Sequence, residues 1–306
     1  MQNSNELCPV LFIPHGGGPL PLLGDINHQT LVSFLKEITT VLGIPSSILI
    51  ISAHWEEEIV TITSGKSPSI IYDYYGFPDH AYAIEYPAGG NPELAEKIYD
   101  FLQADSIEVK LDDERGFDHG VFVPLKIMYP EANIPCLQLS LLKNLSSESH
   151  IKIGRALSKL RHENILVIGS GFSFHNMKAL MSDSSAEDDK NKKFEEWLIE
   201  TCTNPLLSVS ERETRLIDWI NAPFVRYCHP REEHLLPLHI CMGMCKSAAK
   251  LAFEGCVAGK KPVLSFGTSL SFLTVPVIIL TKVFMFSTAS SMNIALGGIF
   301  NEPLNK

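Results

Sequence analysis

"SSILIISAH", residues 46–54, decides the fold. Its centre, Ile48-Leu49-Ile50-Ile51, is apolar without a break. A short run of this kind between polar residues reads as a strand buried on both faces. It ends on His54. Two more runs share the form: "VLFIPH" (10–15) ends on His15, and "NILVIGSGFSFH" (164–175) leads to His175. A fourth, "IPCLQLSL" (134–141), reads as a strand with no histidine. Between them, "QTLVSFLKEITTVL" (29–42), "PELAEKIYDFLQA" (92–104) and "SHIKIGRALSKLRHE" (149–163) carry apolar residues at helical spacing. Pro92 suits a first helical turn. This alternation predicts an α/β protein, a single domain whose central, largely parallel or mixed sheet is flanked by helices. Parallel strands end on one side of their sheet, so the three histidines are expected to converge there.

Composition narrows the partners. The chain has 306 residues, a net charge of −10 and no basic block. Phosphate binding needs clustered Lys and Arg, so nucleic acid is not an expected partner. The seven cysteines are scattered, with no CxxC pair. They read as reduced thiols of a cytoplasmic protein. The first residues, "MQNSNELC", have neither a basic region nor an apolar signal core. Residues 270–286, "LSFLTVPVIILTKVFMF", look membrane-like. Pro276 and Lys282 interrupt them, and the unbroken part falls short of the roughly 20 residues a spanning helix needs. No membrane partner is expected. The charged, Ser-rich segment "SDSSAEDDKNKK" (182–193) reads as a solvated loop.

Eleven histidines are sorted by context. His28, His80, His150 and His162 default to surface positions, although the aromatic, Pro- and Gly-rich surroundings of His80 suit a pocket wall. His119 lies in "RGFDHGVFVPL", a loop before a helix. His234 begins the helical run "EHLLPLHICMGM". His239, five residues on, points to another face and reads as a core histidine. His15, His54 and His234 together suit one divalent transition metal, bound through imidazole nitrogens with positions left open. His119 and His175 remain for acid–base work. The alternative is that these are unrelated polar residues at strand ends. Gly16, Gly17 and Gly18 are read as freeing the backbone and opening room beside His15.

Taken in order, "FIPHGGGP", "ISAHW", "YDYYGFPDHAYAIEYPAGGNPELAEKI", "RGFDHGVFVPLKIMYPEANIPCLQLSL", "SGFSFHNM" and "EHLLPL" resemble the class III extradiol ring-cleavage dioxygenases of the LigB-like superfamily. The resemblance is to the 4,5-DOPA dioxygenase branch and runs from about residue 8 to 250. It implies an oxidoreductase that opens the ring of a catechol such as DOPA with O₂, giving a muconic semialdehyde. It implies one divalent metal per chain on His15, His54 and His234, with Fe(II) for the oxygenase chemistry and Zn(II) as an alternative occupant. It makes His175 the acid–base residue, or a fourth ligand where zinc is bound, and sets His119 beside substrate and O₂. Two other functions remain: a zinc-dependent hydrolase, and a LigB-like interaction or signalling protein without activity, whose mark would be loss of the metal histidines.

Two features depart from the pattern. His229, in "HPREEH", rivals His234 as third ligand, and His234 is preferred because it sits in "EHLLPL". The apolar stretch at about 262–281 reads as an insertion before the family's last strand, which "FSTASSMNIALGG" (286–298) resembles. It carries no His, Asp or Glu, so the site is expected not to need it.

Overall fold

The computed structural model describes residues 7–180, 189–257 and 261–268. Eight strands form one mixed sheet: β1 (Val10–Pro14), β2 (Ser47–Glu57), β3 (Val60–Thr63), β4 (Val109–Asp112), β5 (Cys136–Leu142), β6 (Ile165–Gly171), β7 (Lys250–Val257) and β8 (Lys261–Thr268). Their spatial order is β4-β3-β5-β2-β6-β1-β8-β7. The helices are α1 (Gln29–Leu42), α2 (Pro92–Ala104), α3 (His119–Met128), α4 (Ser147–Leu157), α5 (Met177–Leu180), α6 (Asp189–Thr203), α7 (Val209–Ile217), α8 (Val225–Cys228) and α9 (Leu236–Gly243). The α/β fold expected from the sequence is the fold observed.

The centre of the sheet is parallel: β5, β2, β6 and β1 run the same way. Their apolar runs are buried on both faces, and Leu11, Phe12, Ile13 and Ile48 to Ile51 have no exposed surface. That is why these strands read as continuous rather than alternating hydrophobic stretches. Helix α1 turns Leu31, Leu35 and Ile38 to the core, one helical face at i, i+4 and i+7. Helix α2 begins as its sequence suggests: the Asn91 side chain accepts from the Leu94 N–H at 3.1 Å and Pro92 opens the first turn.

Registers bring the strand ends level. Pro14 pairs with Gly171, and Ser52 pairs with Ser170. The residues that follow on β1, β2 and β6 therefore emerge side by side. On β2 the pairing with β5 slips: Ile51 faces Leu139, while Glu56 faces Leu141. This bulge holds His54, which lies inside a longer strand than the sequence indicated. A bulge re-aims a side chain without ending the strand.

Helix α9 crosses the end of β6 at close range. A Cβ on Gly171 would meet the His234 carbonyl oxygen at 2.2 Å, and the Phe172 N–H donates to that same oxygen at 2.8 Å. Gly171 thus lets the turn carrying His234 rest on the strand end.

Of the stretch read as an insertion, residues 262–268 belong to β8, which pairs antiparallel with both β1 and β7. This part is built into the sheet beside the strand that carries His15. Residues 269–281, and the stretch 286–298, lie outside the described residues. Among the described residues no helix is long and apolar enough to cross a membrane.

Candidate metal centre

Five histidines meet at the carboxyl ends of β1, β2 and β6. The ring centroids of His15, His54 and His234 stand 4.8, 5.4 and 5.0 Å apart, pair by pair. His119, at the start of α3, is 3.9 Å from His54 and 5.3 Å from His15. His175 stacks on His234 with centroids 3.3 Å apart and planes inclined by 16°. Residues far apart in sequence thus form one continuous group. Ligand atoms of His15, His54 and His119 lie within 4.8 Å of one another, and those of His175, His234 and Glu233 form a second such set.

Hydrogen bonds set the ring tautomers. The Ser170 hydroxyl donates to the Gly120 carbonyl at 2.5 Å, so its oxygen accepts from Nδ1–H of His15 at 3.0 Å. Nδ1–H of His234 donates to Glu233 Oε1 at 2.9 Å. In both rings the proton is on Nδ1 and Nε2 keeps its lone pair. Nδ1 of His54 lies 3.9 Å from the Asp73 carboxylate, and its Nε2 faces His15 Nε2 at 3.0 Å. Two nitrogens so placed need a proton on one of them or a cation between them. His15 and His234, with Nδ1–H on an acceptor and a lone pair on Nε2, have the form of imidazole that a divalent transition metal takes.

Electrostatics favour that state. Burial, reinforced by the neighbouring imidazoles, holds His15 and His54 well below the usual histidine range. Burial and the adjacent His175 push His234 down to about 3, against the opposing pull of Glu233. His119 goes the other way. Burial disfavours its charge, yet the Asp73 and Asp118 carboxylates overcome that and raise it. Asp73 Oδ1 accepts from the His119 backbone N–H at 2.9 Å and stands 2.9 Å from Nδ1, off the line of a hydrogen bond.

The loop carrying His175 is pinned from below. The His229 ring donates to the Ser173 carbonyl at 2.8 Å, the His175 N–H to the Cys228 carbonyl at 2.9 Å, and the Asn176 side chain to the Tyr227 carbonyl at 2.7 Å. His229 is therefore wall material, packed on Phe194 and Trp219 rather than on the histidine group. A cavity of about 580 Å³ opens beside His175, lined in part by Lys178, Tyr227, Arg231 and Glu233.

Some sequence readings change. His28 and His150 are fully buried, not surface residues, whereas His80 and His162 are exposed. His239 is buried, as read. Gly16 does not open room: its φ is +86°, and a Cβ there would meet Pro21 at 2.3 Å and His28 at 3.1 Å. The glycine serves a left-handed backbone packed against those rings. Asp73, Ser170 and Glu233 were not singled out. Glu233 stands next to His234 and Asp73 in an aromatic loop, so an acid beside a candidate ligand was the available signal.

Comparison with known proteins agrees with this geometry. Residues 13–260 match the family described as the catalytic LigB subunit of aromatic ring-opening dioxygenase. The chain is 38% identical over 265 residues to the dioxygenase tasH of Hapsidospora irregularis, covering 80% of each chain. It is 35% identical over 274 residues to the 4,5-DOPA dioxygenase extradiol of Beta vulgaris, covering 88% of this chain and 98% of that one. A crystal structure of an uncharacterized protein from Escherichia coli K12 superposes with a TM-score of 0.68 at 28% identity, over 85% of this chain and 99% of that one.

Proposed function

Since the chain belongs to the family of catalytic LigB subunits of aromatic ring-opening dioxygenases and is an extradiol dioxygenase, we propose that it opens a catechol such as DOPA to a muconic semialdehyde, with Fe(II) held by His15, His54 and His234. The single observation that carries the assignment of His15 and His54 is the meeting of their Nε2 atoms at 3.0 Å, with the His15 Nδ1 engaged elsewhere; His234 joins them on its ring distances of 5.4 and 5.0 Å and on its Nδ1 being engaged by Glu233. DOPA as substrate is supported by the names of the relatives from Beta vulgaris and Portulaca grandiflora. Zn(II) suits the same nitrogens and is the alternative occupant.

When bound, the metal supplies a Lewis acid that lowers the pKa of the catechol hydroxyls and holds catechol and O₂ together. The protein's own groups do the rest. His175, beside the cavity and outside the three ligands, takes the second hydroxyl proton at Nε2 and later returns one. His119, whose charged form Asp73 and Asp118 favour against burial, donates a ring N–H toward the oxygen where negative charge develops. We further read the chain as one cytoplasmic catalytic domain, with the apolar stretch at about 262–281 an insertion whose first residues, 262–268, the sheet has taken up in β8. The thiols of Cys8, Cys136, Cys202 and Cys241 support the compartment.

Anaerobic reconstitution with Fe(II), followed by O₂ uptake and a visible scan with DOPA, caffeate and protocatechuate, tests the reading. A yellow semialdehyde band with matching O₂ consumption is expected. Stoichiometric Fe(II) without O₂ uptake on any of the three would overturn it.

A further inference from the structure

Glu233 takes part in none of the steps above, yet it touches both halves of the chemistry. Its Oε1 accepts from Nδ1 of His234 at 2.9 Å and stands 3.3 Å from Nδ1 of His175. Its Oε2 lies 3.2 Å from the Arg231 guanidinium. Arg231 is itself held by Glu56 through two bonds of 2.5 and 2.6 Å. Glu56 is two residues beyond His54 on β2. The chain Glu56–Arg231–Glu233 therefore joins the strand of one metal ligand, the turn of another, and the loop of the acid–base residue.

We propose that Glu233 is a positioning residue whose one oxygen sets the tautomer of two histidines, holding Nδ1–H on both His234 and His175. Each ring then presents a bare Nε2 to the site: one as a metal ligand, the other as the base. A carboxylate is acceptor-only, so it imposes a donor on each imidazole that faces it. Without it, a neutral imidazole is free to carry its proton on Nε2, where it neither binds metal nor accepts a proton. The two rings stack with centroids 3.3 Å apart, and the Nδ1 of each lies within 3.3 Å of that one oxygen. Arg231, clamped by Glu56, fixes the rotamer of Glu233 so that Oε1 faces the pair. The inference rests on the reading of His234 as ligand and His175 as base.

The test uses the full chain loaded with zinc, with ¹⁵N-labelled histidine, as wild type, Glu233→Gln and Glu233→Ala. Wild type is expected to show Nδ1–H on both His175 and His234. Glu233→Ala is expected to bind zinc 10- to 100-fold more weakly, the range for a lost outer partner of a ligating histidine. His175 should then populate Nε2–H, and Fe(II)-loaded kcat should fall further than KM moves. Glu233→Gln keeps an acceptor oxygen and is expected to recover most of the zinc affinity. Nε2–H on His175 or His234 in wild type overturns the proposal, and so do unchanged tautomers and zinc affinity in Glu233→Ala. Should the alanine variant fail to fold, the wild-type tautomers and the glutamine variant still decide. The tautomer reading needs no turnover, so a protein that fails the catechol assay can still pass or fail here.

Discussion

The sheet mouth and the helical turns around it both bury histidines, and they use them oppositely. At the supporting positions both ring nitrogens are consumed. Nδ1 of His28 is 2.6 Å from Asp25, and its Nε2 accepts from the Gly17 N–H at 3.0 Å. Nδ1–H of His150 donates to the Ser146 carbonyl at 2.7 Å, and its Nε2 accepts from the Leu142 N–H at 3.1 Å. These rings act as double-ended struts. At the sheet mouth, His15 and His234 commit Nδ1 to Ser170 and Glu233, and among the described residues their second nitrogen has no such backbone or carboxylate partner. Burial alone does not separate the two groups. What separates them is where the second nitrogen points.

The most severe way to break this contrast is His54→Ala. With one inward nitrogen gone, bound Fe(II) and turnover are expected to disappear together, read by metal analysis and O₂ uptake on the same sample. Metal retained at wild-type stoichiometry would remove His54 from the ligand set.

A smaller effect is expected at His175. His175→Ala leaves three imidazoles for the metal, so Fe(II) content should stay near stoichiometric. Turnover should fall by about 10² to 10⁴, the range for a lost general acid–base group. Metal loss matching that of His54→Ala would instead make His175 a ligand first.

Much of this contrast was legible in the sequence, for a physical reason. Parallel strands buried on both faces must be apolar throughout, so β1, β2, β5 and β6 announce themselves, and their common direction places the residues that follow them together. Strands β3 and β4 were missed because each spans four residues, and on β4 Lys110 and Leu111 face solvent. The strut histidines were misread because the group each Nε2 accepts from is a backbone one, Gly17 N–H and Leu142 N–H, which leaves no trace in side-chain pattern. Glu233 and Asp73 escaped notice for a related reason. An acid looks the same in sequence whether it faces water or, like Glu233, an imidazole pair of which His175 stands 58 residues away (233 − 175). The bulge at His54 was equally silent, since it arises from pairing with β5 rather than from the residues of β2.

The mildest test uses a strut alone. His150 is pushed down to about 4, chiefly by burial, against the favourable pull of the Ser146 carbonyl. An unfolded histidine titrates near 6.5. Between those two values the unfolded chain holds a proton on this residue that the folded chain refuses. Stability therefore rises with pH across that window: the contribution of His150 is complete above about 6.5 and is lost as pH falls toward about 4. Protonation would turn Nε2 from an acceptor into a donor facing the Leu142 N–H, which is the structural reason the folded state refuses it. His150→Gln keeps an amide that can serve both backbone partners but cannot titrate. In urea melts at pH 7.5 and pH 5, under identical metal-free buffers, the variant should be somewhat less stable than wild type at the higher pH. Its loss between the two pH values should be smaller. The two proteins differ at this one side chain, so the difference between the two slopes reads His150. Equal slopes would mean that the ring accepts its proton without losing the strut, and the line between double-ended and open histidines would then have to be drawn elsewhere.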